Sequence, residues 1–175
     1  MSTKTILLSS ITALTLSGVS APLAADEVDH DRSMSPSRLV GAWLVTITPY
    51  VCATGELLPA FAVDSYMTFG ARGTLAETTS NTRFQPGQRS PGHGHWERTG
   101  PDTYRAVFQA FVQFTSVVTP PTPPRYVRGT QRVDQGIELV DNDHWKSDAT
   151  VSFFDTGGTL VPPSGCAAAA AVRMD

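Results

Sequence analysis

The chain has 175 residues, 41% hydrophobic and 17% charged, with a formal net charge of −3. That length suits one domain with a core of its own. Eleven Arg residues lie scattered among only two Lys, so no basic patch exists for nucleic acid or another polyanion.

Residues 1–25 read as an export signal: Lys4 gives a positive start, Ile6 to Val19 a short apolar stretch, and Ala21-Pro22-Leu23-Ala24-Ala25 a small-residue cleavage region. Cleavage at Ala25 or slightly earlier leaves 12 basic against 16 acidic side chains, a net charge of −4. No later segment has the length and apolarity of a transmembrane helix, so no transmembrane anchor is expected. No Cys stands just after the cleavage region, which argues against a lipid anchor. A periplasmic or extracellular location is expected. Residues 26–37, DEVDHDRSMSPS, are polar and aperiodic and read as a disordered leader, so the folded domain spans 38–175.

From there the pattern is all β. Eight strands are expected at 39–51, 61–70, 73–80, 93–99, 103–116, 125–140, 144–155 and 167–174. The clearest is 103–116, where Tyr104, Ala106, Phe108, Ala110, Val112 and Phe114 alternate with residues that include Arg105, Gln109 and Gln113. In the next strand Val127, Val133, Ile137 and Leu139 share a face, and Gly129 or Gly136 is the expected bending point. Turns such as Gly70-Ala71-Arg72-Gly73 and Asp141-Asn142-Asp143 imply antiparallel pairing of sequential strands. With no helix to cover a sheet face, eight amphipathic strands must hide their apolar side against one another. An eight-stranded antiparallel up-and-down barrel does this and leaves no edge; a two-sheet β-sandwich is the alternative. The Pro-rich loops 81–92 and 117–124 are expected at a rim.

Gly41-Ala42-Trp43 on the first strand and Arg173 near the end of the last resemble the lipocalin and wider calycin barrels. The resemblance implies that Trp43 packs under Arg173 to close the barrel floor, and that the lumen holds a small apolar or amphipathic molecule. Ser90-Pro91-Gly92-His93-Gly94-His95-Trp96 and Cys52-Ala53-Thr54-Gly55 are similar to small secreted bacterial lipocalin-like proteins of unassigned function. No C-terminal helical pattern follows the last strand, a departure from ordinary lipocalins. In an exported protein Cys52 and Cys166 can form a disulfide. In an antiparallel pairing of first and last strands, the positions of Trp43 and Arg173 add to 216 and those of Cys52 and Cys166 to 218, nearly one register. Free thiols or a metal role are the alternatives for the cysteines.

The residues expected to line the lumen are Met67, Trp96, Phe108, Val112, Phe114, Val133, Ala149 and Val151. Small inward residues would leave a cavity, unless Phe84 or Tyr50 fills it. Glu77 shares a face with Leu75 and is a candidate luminal acid, with Arg98 a possible partner; otherwise it is a strand-end charge near solvent. His93 and His95 face outward, either as a pair of metal ligands or at a strand entry where Gly92 and Gly94 relax the backbone. No nucleophile elbow or phosphate-binding loop is present, and no cofactor is expected. The leading expectation is a non-catalytic small-molecule binder. A barrel-type isomerase or cyclase using Glu77 and a partner-binding module are the alternatives, and the oligomeric state is not legible.

Overall fold

A computed structural model describes residues 37–115 and 126–175. The expected export signal, the leader before Ser37 and the Pro-rich segment 117–124 lie outside the described residues. Eight strands follow one another: β1 (Gly41–Tyr50), β2 (Val63–Phe69), β3 (Thr74–Thr79), β4 (Gly92–Arg98), β5 (Thr103–Thr115), β6 (Tyr126–Leu139), β7 (His144–Phe154) and β8 (Leu160–Arg173). They pair antiparallel in sequence order, and β8 returns to β1, so the sheet closes into a barrel. The cause is the period-2 pattern. In β2, Ser65, Met67 and Phe69 are buried while Asp64, Tyr66 and Thr68 are exposed, and the other strands supply matching inward rows.

Seven strands lie within two residues of their expected bounds. The eighth begins at Leu160, seven residues earlier than the expected position 167, and takes in Pro162 and Pro163. Leu160 and Val161 nevertheless pair with Phe154 and Phe153, beyond a register shift between Val151 and Phe153. Such an irregularity tolerates prolines, which cannot donate to a ladder. The bend expected at Gly129 or Gly136 takes no such form: β6 keeps unbroken register with β5 from Thr103↔Glu138 to Thr115↔Tyr126. The sheet's irregularity sits on β7 and β8 instead.

One end of the barrel is sealed by aromatic rings. Trp43, Trp145, Phe69, Trp96 and Tyr104 form a chain of edge-to-face contacts with centroid distances of 5.7–6.2 Å. Leu39, wholly buried, plugs the gap and accepts the Trp43 indole N–H at 2.9 Å. Arg173 lies over Trp43, with its guanidinium carbon 4.2 Å from the ring centroid. Its N–H groups donate to the Val40 and Asn142 carbonyls at 3.0 Å and to the Arg38 carbonyl, tying the chain entry to the last strand. Gly41 makes room for this plug. Its φ is 137°, and a Cβ there would sit 2.6 Å from Arg173 Nη1. Gly41→Ala is therefore expected to cost about 1–3 kcal/mol in urea unfolding and to weaken quenching of Trp43 fluorescence.

The β1–β8 seam holds one register from Trp43↔Arg173 to Tyr50↔Cys166, every pair of positions adding to 216. Cys52 lies two residues past the end of β1, and its disulfide to Cys166 fastens the top of this seam, with the Cα atoms 5.3 Å apart. Arg173 and Trp43 fasten the bottom.

Candidate functional site

The open end of the barrel is built unevenly. β3 and β4 have 6 and 7 residues, whereas β5 and β6 have 13 and 14. The upper flank of β5 therefore lacks a strand partner, and the segment between β3 and β4 supplies one. Ser90 N–H donates to the Phe111 carbonyl at 2.9 Å, and Gln113 N–H to the Gln88 carbonyl at 2.8 Å. The Gln88 side chain returns a bond to the Gln113 carbonyl at 2.8 Å. Arg89 stands between them, bridged to Val112, whose side chain is buried inside the barrel. Alternation then sends the Arg89 side chain inward too.

There it meets Glu77. Arg89 Nη2 donates to Glu77 Oε2 at 2.8 Å, with side-chain exposures of only 7% and 2%. Nε donates to Gln131 Oε1 at 2.6 Å and Nη1 to the Ser90 carbonyl at 3.2 Å. Ser65 Oγ donates to Glu77 Oε1 at 3.1 Å, so both carboxylate oxygens are engaged. The glycines of β4 give this layer its space. A Cβ on Gly92 would lie 2.7 Å from Glu77 Oε2 and 2.8 Å from the Phe108 ring. One on Gly94 would lie 2.0 Å from the Val107 carbonyl oxygen.

Beside the ion pair lies a cavity of about 220 Å³. Val45, Ile47, Met67, Phe108, Val133 and Val151 form its apolar wall, and Ala149, Ala167 and Ala169 leave the volume unfilled. Glu77, Arg89, Gln131 and Gln135 bring polar atoms to it. Phe61, Arg83 and Phe84 line it from the loops at the open end, with the Arg83 guanidinium 4.1 Å over the Phe61 ring. Among the described residues, Trp145 Nε1 and Ser147 Oγ are buried without hydrogen-bond partners. They share the inward face of β7 with Ala149.

The structure sorts the residues singled out in the sequence. Met67, Phe108, Val133, Ala149, Val151 and Glu77 line the cavity. Trp96 does not: it belongs to the floor, where its indole N–H donates to the Gly70 carbonyl at 3.0 Å. Val112 is buried opposite Arg89, away from the cavity wall. The Phe114 side chain lies outside the described residues. Phe84 lines the cavity without filling it, and Tyr50 is not part of its wall. Arg98 is not the partner of Glu77. Glu77 sits opposite Gly92, and Arg98 is six residues further along β4, about 20 Å away at strand rise. Arg98 instead donates to the Gly100 and Pro101 carbonyls of its own turn. His93 and His95 are exposed on the outer face of β4, and no group of three metal-ligating side chains occurs among the described residues.

Arg83, Arg89, Gln131 and Gln135 were not legible as site residues from the alternation of apolar groups. The two Gln residues did leave a signal, being polar positions within the apolar odd face of β6. Compared with known proteins, the chain matches no protein-family model and no curated protein.

Proposed function

We propose that this is an exported, lipocalin-like protein that binds one small amphipathic molecule in the barrel lumen. The observation that carries the reading is the cavity of about 220 Å³, apolar on most of its wall and polar around Glu77 and Arg89. An apolar cavity of about 150 Å³ takes a benzene ring. In proportion, this one takes about nine non-hydrogen atoms. The Arg173–Trp43 plug under the cavity supports the lipocalin likeness, and the Cys52–Cys166 disulfide is in keeping with an oxidising compartment.

The isomerase or cyclase reading needs a buried luminal acid, and Glu77 is buried. Both its oxygens are already bonded, to Ser65 and Arg89, which favours a structural and recognition role over proton transfer. Native mass spectrometry of protein purified from an exporting host tests the binding reading. The expected result is a small adduct that is lost on denaturation and absent from Ala149→Phe, a variant that fills the lumen. No adduct, together with no thermal stabilisation by small aromatic compounds, would refute it.

A further inference from the structure

We infer that the molecule held in this cavity is a small monoanionic organic acid, its apolar body against Phe108 and Val133 and its carboxylate facing Arg83, Arg89 and Gln131. This deepens the luminal-binding reading and rests on it. The ionisable side chains on the wall are Glu77, Arg83 and Arg89. Glu77 neutralises Arg89 at 2.8 Å. Arg83 stacks on Phe61 and has no carboxylate partner among the described residues, so the wall carries one net positive charge.

The hydrogen-bonding inventory points the same way. A guanidinium has five N–H donors and no acceptor. Arg89 commits three of them, to Glu77, Gln131 and Ser90, and two remain. Because Arg89 can only donate, Gln131 must turn its oxygen toward it. That fixes the amide orientation and leaves the Gln131 NH₂ without a partner among the described residues. The Gln135 NH₂ reaches only the Met67 sulfur, at 4.0 Å, a weak acceptor. On the acceptor side, Oε1 and Oε2 of Glu77 already receive Ser65 and Arg89. The wall thus offers surplus donors and positive charge, which match a carboxylate and disfavour an ammonium. Guanidinium–carboxylate pairing is directional and strengthens where water is excluded. Within about nine non-hydrogen atoms, a carboxylate leaves room for a single six-membered ring.

Calorimetric titration of the disulfide-bonded protein compares three probes of matched size: benzoate, its neutral isostere benzamide, and benzylammonium. Benzoate is expected to bind at least about tenfold tighter than benzamide, with benzylammonium weakest. Arg83 is exposed, so Arg83→Gln leaves the fold intact. It is expected to weaken benzoate about tenfold more than it weakens benzamide. Ala149→Phe should abolish binding of all three. Equal affinity for benzoate and benzamide would overturn the anion inference while luminal binding stood. An Arg83→Gln variant with an unchanged benzoate-to-benzamide ratio would do the same, whereas benzoate binding that survives Ala149→Phe would put the site outside the lumen and overturn the luminal reading as well. Failure of all three probes to bind would overturn the luminal reading and this inference together.

Discussion

Arg89→Met is expected to lower the unfolding free energy by about 3–5 kcal/mol, the range for removing one partner of a buried ion pair. The size follows from what remains. Glu77, 3% exposed, would keep its negative charge in the lumen with only the Ser65 hydroxyl to answer it. The double variant Glu77→Leu with Arg89→Met removes both charges, and the single Ser65 hydroxyl proton can turn to the Thr78 carbonyl, 3.1 Å away. It should recover most of the loss, because replacing a buried pair with apolar groups is often neutral or stabilising. Urea titration of the two single variants and the double variant closes the cycle. The single variant should also loosen the segment that covers β5, speeding amide exchange at Phe111 and Gln113, which bond to Ser90 and Gln88. A loss under about 1 kcal/mol for Arg89→Met would mean the pair is solvated and does not organise the site.

Removing the disulfide by Cys52→Ser with Cys166→Ser is expected to cost about 4–5 kcal/mol, from the loop-closure entropy restored to the unfolded chain. The bridge spans a sequence separation of 114 residues, which places it at the upper end of that range. Against a typical domain stability of about 5–15 kcal/mol, the loss is about a quarter or more of the whole. It falls on the seam between β1 and β8, the pairing most distant in sequence, which would then be fastened only by its ladder and by the Arg173–Trp43 plug. Guanidinium titrations of parent and variant, with and without reductant, check this. The parent midpoint should fall to that of the variant on reduction, and the variant should not respond. Because Cys166 also lines the cavity, ligand affinity should fall with the bridge. Identical midpoints in all four conditions would contradict the assignment.

Much of the barrel was legible in the sequence because its physics is periodic. Tyr104, Ala106, Phe108, Ala110 and Val112 form one face of β5, opposite a face that includes Arg105, Gln109 and Gln113, and the structure buries all five. The pairing of Trp43 with Arg173 sets the register that brings Cys166 beside Tyr50 and within reach of Cys52. Where the pattern is not periodic, the reading stopped short. Pro162 and Pro163 conceal the start of β8, because a register shift lets them sit in a strand.

For the cavity, alternation tells which residues face inward but not at what height. Trp96 and Phe108 are both inward, yet one seals the floor and the other lines the cavity. Gln131 and Gln135 left only a trace, as polar interruptions of the apolar odd face of β6 that the alternation did not mark as site residues. Arg89 left none, since it lies outside the regular strands. Its inward turn depends on the shortness of β3 and β4, which leaves the upper flank of β5 to be paired by residues 88–90.

The central claim is that a small molecule occupies the lumen, and methyl NMR of the disulfide-bonded protein tests it most directly. With saturating benzoate or benzamide, the methyl signals of Val45, Val133, Ala149 and Val151 should shift, while those of the outer-face residues Leu44, Val140 and Val172 stay in place. Shifts confined to the outer face, or none at any methyl, would contradict it.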